Sequence, residues 1–289
     1  VKTASPAYAE RDALGGAAAA VSAGLADRLP TILQQFRPRI RIRLENNRFI
    51  AKTADDGREL ALCLRLRHAV FYEECLGRRH PSGVDLDQFD PQCDHLLVLE
   101  RPEGRCVGTY RILCSSWSDR FYSATEFHLA NIVGLPGTKL ELGRACVAPE
   151  YRDHRVLGWL WRGIGEYVKR CNASYLFGCS SVKTTRPSEL AALYAYFRQR
   201  HLAAPDAQVR PKRRLALKGL CELLPGAVRE FSSAWLEGLI PPLLRLYLRM
   251  GAVICGEPAI DRAFCCADFF TLLATSAVSV RTDQKYRQA

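Results

Sequence analysis

The stretch LELGRACVAPEYR, Leu140 to Arg152, puts Glu141 three residues ahead of Arg144 inside a run that otherwise reads as a buried strand. A carboxylate can take a proton from an attacking amine, and a guanidinium fork fits a carboxylate bidentately. A charged pair in such a strand is expensive unless it is paired or used. Side chains alternate along a strand, so residues three apart face opposite ways and meet only where the strand is bulged or splayed. The competing reading of this pair is a structural ion pair. Cys146 and Cys179 are the other candidate nucleophiles, and activation of either needs a neighbouring base or cation. Both fall in strand patterns and read as buried core. The 12 cysteines contain no C-x-x-C and no His/Cys cluster with zinc spacing, so no metal site is expected. GCSS (178–181) is not the G-x-S-x-G of a nucleophile elbow.

The elements that must position this pair follow from hydrophobic periodicity. Residues 41–52 alternate and predict a strand. Residues 56–76 have apolar positions at helical spacing behind Asp56 and predict a helix. A polar, Pro-containing loop covers 77–94. Strands are expected at 95–100 and 105–113, joined by a hairpin turn at RPEG (101–104), and again at 138–147. A short helix is expected at 121–129, a long amphipathic helix at 151–172, a strand at 173–181 and a helix at 187–201. The order predicts a mixed sheet with packed helices. Residues 1–38 read as an Ala-rich leader, poorly ordered or partly helical, and 39–289 as one domain. Within it, 207–250 is basic and apolar together: eight Lys/Arg against three Glu, a balance of +5, with Trp235 and Ile240 interleaved. That pattern suits a membrane-interface helix or, equally, a core helix pair beside a solvated loop. Pro241-Pro242 argues against one continuous helix.

The 289 residues carry a net charge of +11, which calls for an acidic partner. The basic residues are scattered, and no helix-turn-helix, zinc or RNP pattern appears, so nucleic acid is not expected. No run of about 18 apolar residues is present, and acidic Glu10 and Asp12 beside the Ala-rich stretch make a poor signal peptide. Free cysteines of this kind suit a reducing compartment, and the expected location is the cytoplasm, with peripheral contact to the inner face of the cytoplasmic membrane.

Several motifs recur together in one order: RLRHAVFYEE (65–74), DLDQFDPQCDHLLVLE (85–100), VGTYRIL (107–113), FYSATEF (121–127), LELGRACVAPEYR (140–152), YLFGCSS (175–181) and the segment 247–273. Over roughly 40–280 the chain resembles the bacterial L-ornithine Nα-acyltransferases, the lyso-ornithine-lipid synthases often labelled hemolysin-like. Its core is also similar to acyl-homoserine-lactone synthases and N-acyl amino acid synthases. The resemblance implies an α/β (α+β) fold of GNAT type: a mixed, splayed sheet with helices on both faces, here with a basic amphipathic C-terminal extension. It implies acyl transfer from an acyl carrier protein to the α-amine of an amino acid, ornithine first, with lysine, glutamine, glycine or tyrosine as alternative acceptors. A membrane-active binding protein is the rival from another class.

The lactone-synthase pattern R-x-x-x-F, D-x-x-D, R, E-x-x-R maps onto Arg67 and Phe71, Asp87 and Asp90, Arg111, and Glu141 with Arg144. By this resemblance Glu141 is the proton acceptor, and Arg144 and Arg111 hold the acceptor carboxylate. Asp87 and Asp90 attract a cationic side chain or order Arg67 and Arg144, and 138–148 is the strand that supplies N–H donors to the thioester oxygen. Enzymes of this fold that use CoA carry a Gly-rich turn for the pyrophosphate at a helix N-terminus. Here the equivalent stretch, RDHRVLGW (152–159), has Arg155 and Leu157 where Gly is expected, which favours a phosphopantetheine thioester on a carrier protein and no bound cofactor.

Overall fold

The computed structural model describes residue 25 and residues 27–278. In chain order the elements are helix α1 (27–35), strands β1 (Arg43–Glu45) and β2 (Phe49–Thr53), helix α2 (Gly57–His68) running into a π-helical turn (Ala69–Glu74), and strands β3 (Asp94–Glu100) and β4 (Arg105–Cys114). A 3-10 turn (Tyr122–Thr125), β5 (Phe127–His128), the short helix α3 (Ala130–Val133), β6 (Thr138–Val147), α4 (Arg155–Cys171), β7 (Ala173–Val182) and α5 (Pro187–Arg200) follow. The chain then forms β8 (Arg210–Pro211), α6 (Leu220–Glu230), α7 (Ser233–Leu239), α8 (Pro242–Arg249), β9 (Val253–Ile254), β10 (Ala259–Asp261) and β11 (Cys266–Ala274). No helix among the described residues is long and apolar enough to cross a membrane.

Two expectations change. Residues 41–52 are a hairpin rather than one strand. The side chain of Asn46 accepts the amides of Arg48 and Phe49 and turns the chain, and the apolar alternation resumes on the return strand, so the period survives the turn. Residues 121–129 give a single 3-10 turn followed by β5, which pairs antiparallel with β8. Phe121 and Phe127 there pack on Phe177 and Phe270 of the sheet instead of forming a helix stripe.

The described chain falls into two compact units, 27–113 with 143–171, and 114–142 with 172–278. In the first, β1, β2, β3 and β4 form an antiparallel run, with Val107 of β4 the extra residue opposite the Val98–Leu99 step of β3. Alternation along β3 sends Leu97 and Leu99 to one face, where they pack with Leu60, Cys63 and Leu64 of α2. Leu96 points to the other face and meets α4. A Cβ at Gly163 of α4 would lie 2.8 Å from Leu96 Cδ1, so the missing side chain is what admits the helix to the sheet. This unit therefore has helices on both faces. The side chain of Asp56 caps α2 by accepting from the amides of Arg58 and Glu59.

In the second unit β6 pairs parallel with β7 over Thr138–Glu141, and β7 runs antiparallel to β11, which also pairs with β9 and β10. Val182, Ala267 and Phe269 carry one face of this sheet. Leu190, Leu193 and Phe197 of α5 pack against them, and Leu220, Leu236, Ile240 and Leu244 of α6–α8 complete the same core. The basic, apolar stretch 207–250 thus contributes helices to a core, broken as the Pro pair requires. The opposite face carries Phe177 and Phe270, stacked at 5.5 Å between ring centres, with Phe121 and Phe127 edge-on against them.

Candidate active site

Five of the seven residues singled out by the sequence converge in the first unit with their charges engaged. Arg67 comes from α2, one turn before the π-helical segment, and is fully buried. The loop after that segment folds back under it. Asp85 donates its amide to the Leu64 carbonyl, the Asp87 side chain accepts the Phe89 amide, and Asp90 accepts the Asp87 amide at 2.7 Å. These local bonds fix three carboxylates against the helix. Arg67 Nε donates to Asp85 at 2.7 Å and Nη1 to Asp90 at 2.7 Å. Arg111, from β4, donates to Asp87 at 2.6 Å and to Asp90 at 3.2 Å, with its guanidinium 5.7 Å above the Phe89 ring.

Arg144 enters from β6 with φ 51, a left-handed backbone that a non-glycine residue adopts only at a cost of about 1–3 kcal/mol. Its Nη2 donates to Asp87 at 3.3 Å and its Nε lies 3.5 Å from Asp85. Phe71, carried by the π-helical turn, lies under its guanidinium at 5.8 Å. Three guanidinium groups thus face three carboxylates. Burial pushes the pKa of Asp85, Asp87 and Asp90 up, but the surrounding arginines overcome it and hold all three below the ordinary carboxylate value. Burial of His95 beside the same cluster pushes its pKa down to about 4, so the ring is neutral at pH 7. Of the three arginines, Arg144 has the most open side chain, 16% exposed against 0% and 4% for Arg67 and Arg111.

Glu141 is held in the second unit by other partners. Its Oε2 accepts the Tyr122 amide at 2.8 Å and its Oε1 the Ser123 amide at 2.7 Å, so the carboxylate closes the N-terminal end of the 3-10 turn. Orphan amides at such an end favour a negative group. The two members of E-x-x-R therefore have different anchors, Glu141 on the Tyr122 and Ser123 amides and Arg144 on Asp85 and Asp87. Nearby, Cys179 donates its thiol to Ser123 Oγ at 3.4 Å, and burial pushes its pKa well up. Burial does the same to Cys146. Neither thiol is activated.

Asp85 is the member of this charged cluster that sequence reasoning missed. Its signal was present: DLDQFD carries acids at 85, 87 and 90, and only the last two fit D-x-x-D.

A family model described as an acetyltransferase (GNAT) domain matches residues 66–162. This span includes Arg67, the acid loop, Arg111, Glu141 and Arg144. An L-ornithine N(alpha)-acyltransferase from Brucella abortus is 33% identical over 258 residues, covering 84% of this chain and 86% of that protein. One from Agrobacterium fabrum is 32% identical over 247 residues, covering 80% and 82%. Among solved structures, FeeM, an N-acyl amino acid synthase from uncultured soil microbes, aligns at 11% identity and TM-score 0.45, covering 82% of this chain and 98% of that one. The CoA-dependent acyl-homoserine lactone synthase BjaI aligns at 18% identity and TM-score 0.44, covering 79% and 80%. By near-whole-length identity to its curated relatives, and with a GNAT domain at its centre, this chain belongs to the L-ornithine Nα-acyltransferase family.

Proposed function

We propose that this chain is an N-acyltransferase that moves a 3-hydroxyacyl group from an acyl carrier protein to the α-amine of L-ornithine, giving a lyso-ornithine lipid. The observation that carries the reading is the identity of about one third along more than four fifths of the relatives named for that reaction. The chemistry is aminolysis of a thioester. The α-nitrogen attacks the acyl carbon, a C–N bond forms, the C–S bond breaks, and the thiolate leaves and takes a proton. The amine must give up a proton during attack, and Glu141 is the proposed acceptor, acting through a water. Its two amide bonds hold the carboxylate in one orientation.

Arg144, the most open of the three guanidinium groups, is the proposed clamp for the acceptor carboxylate. Arg67 and Arg111 are positioning residues in this reading. Their donors are turned to Asp85, Asp87 and Asp90, and the acids in turn set the angle of Arg144. Phe71 supports the guanidinium from below.

A carrier-protein donor is favoured by the start of α4. Asp153 accepts the Arg155 amide there and pairs with its guanidinium, which puts an acid where an incoming pyrophosphate would need free amides. The acidic surface of a carrier protein would also suit a chain of charge +11. For the lipid product, an anionic membrane surface is the proposed acceptor compartment. Trp235 is 40% exposed and stacks on Phe231 at 4.4 Å, an aromatic pair suited to an interface.

The test is mass spectrometry of products from purified protein, 3-hydroxyacyl carrier protein and an equimolar mixture of ornithine with the common amino acids. N-acyl-ornithine is the expected product. A product on another amino acid keeps the reaction and overturns the acceptor, and no product from folded protein overturns the function.

A further inference from the structure

The second unit contains a carboxyl group that the acyl-transfer chemistry does not use. Glu126 closes the 3-10 turn just before β5, and its residue is 5% exposed. Its Oε2 is buried without a hydrogen-bond partner. A buried polar atom left in that state costs about 1–3 kcal/mol unless something fills the position. The charged groups that act on it are themselves acids, Asp268 and then Asp261. Arg214, which approaches this turn, is directed at the Thr125 carbonyl on the exposed side.

The neighbouring sheet supplies the rest. Asp268 of β11 stands opposite Ser181 of β7 and accepts its hydroxyl at 2.6 Å. Alternation puts Cys179, Ser181 and Asp268 on the face away from α5. Asp268 is buried, Asp261 is half-buried and Ser181 is exposed. Asp261 and Asp268 can present carboxylate oxygens, with the Cys266 thiol, within 4.8 Å of one another. Burial first, and then the acids around it, push the Glu126 pKa up to about 9, so the empty site holds this carboxyl neutral at pH 7. An incoming cation would bring the ionised form back.

We infer that Glu126, Asp268 and Asp261 form an acidic subsite for a primary ammonium group, the side-chain amine of the acceptor. The inference rests on the ornithine reading above and names the residues that would select that acceptor. An ammonium has three N–H donors and no acceptor, which matches carboxylate and hydroxyl oxygens. The subsite is linked to the proposed proton acceptor through the same turn, since Cys179 bonds to Ser123 Oγ and the Ser123 amide bonds to Glu141. The side-chain end and the reacting end of one amino acid would thus be read by one short segment, residues 122–126.

The experiment compares L-ornithine with 2-aminohexanoic acid, its isostere with a methyl in place of the δ-amine, using wild-type protein and the E126Q, D268N and D261N variants with a 3-hydroxyacyl carrier protein. The ratio of kcat/KM for the two acceptors is expected to fall by about 10- to 100-fold in E126Q and D268N, and less in D261N, where the acid is half-buried. E126Q replaces a carboxyl already neutral in the empty protein, so it is expected to fold, and it carries the test with D261N if D268N does not. An unchanged ratio in folded E126Q overturns this inference and leaves the ornithine reading standing. A wild-type protein that makes no N-acyl-ornithine overturns both. Stoichiometric Zn2+ uptake that is lost in D268N, with the acceptor ratio unchanged, assigns the cluster to a metal and overturns the ammonium subsite.

Discussion

Replacing Asp90 with Asn should unfold the protein far more easily than its small change in shape suggests. Asp90 is fully buried and takes Arg67 Nη1 at 2.7 Å, Arg67 Nη2 at 3.2 Å, Arg111 Nη1 at 3.2 Å and the Asp87 amide at 2.7 Å. The Asn oxygen can keep one of these, but its amide nitrogen would then face a guanidinium. Three cations would remain against two anions, with Arg67 still fully buried. Breaking a buried ion pair from one side costs about 3–5 kcal/mol, because the surviving charge is left without compensation. At about 2–4 °C per kcal/mol for a protein of this size class, the melting temperature falls by roughly 6–20 °C. Urea denaturation followed by circular dichroism measures the first quantity and thermal melting the second. The control is E45Q, which breaks the exposed pairs of Glu45 with Arg43 and Arg101, and should stay within about 0.5 kcal/mol of wild type. The double variant R67M/D90N should cost less than the sum of its parts, since it removes the stranded cation as well as the anion. A D90N loss under about 1 kcal/mol, or strict additivity in the double variant, would refute the argument that this network is held by mutual neutralisation.

E141Q should lower kcat by about 100- to 10,000-fold, the range of general-base catalysis, in steady-state assays of folded protein; full activity removes Glu141 from the mechanism. Stability should depend on pH in two ways. Asp85, Asp87 and Asp90 titrate lower in the folded state, so their contribution is present above the unfolded value of about 4 and is lost as pH falls through the folded values. Glu126 titrates higher when folded, about 9, so stability falls as pH rises from the ordinary Glu range toward 9, and E126Q should flatten that limb in urea midpoints. G178A should destabilise by about 1–3 kcal/mol in urea, because the new Cβ would lie 2.3 Å from the Leu142 carbonyl oxygen. Trp235 emission should shift to the blue with anionic vesicles relative to W235F, and an unchanged spectrum removes this aromatic pair from membrane contact.

The strands were legible where one face is buried and the period of two is clean: the expected 138–147 and 173–181 match β6 and β7 almost residue for residue. The hairpin at Asn46 was hidden because a tight turn need not disturb the alternation on either side. The seven-residue set was legible through its order along the chain, while the state of its charges was not. Arg67 on a helix and Asp90 in a polar loop both look solvated in sequence. Their burial follows from meeting each other, which is a property of the fold. Glu126 and Asp268 lie outside the motif for the same reason: nothing local marks an acid that will be buried beside another element, whereas Asp85 shares its loop with two acids of the motif.

The division of β6 has a consequence for biosynthesis. Among the described residues the first unit is built from 27–113 and 143–171, and the second from 114–142 and 172–278. Each therefore waits for chain that the ribosome delivers after part of the other. While the second unit awaits residues beyond 171, its first segment, with Tyr122, Glu126 and Glu141, is out of the channel and lacks the β7 and β11 strands it pairs with or packs on. Apolar surface on Phe121 and Phe127 stays uncovered for that interval, at about 5–20 residues per second. Cutting the gene between the units would not yield two folding pieces, and a split protein would need its break within a loop on one side of this interleaving.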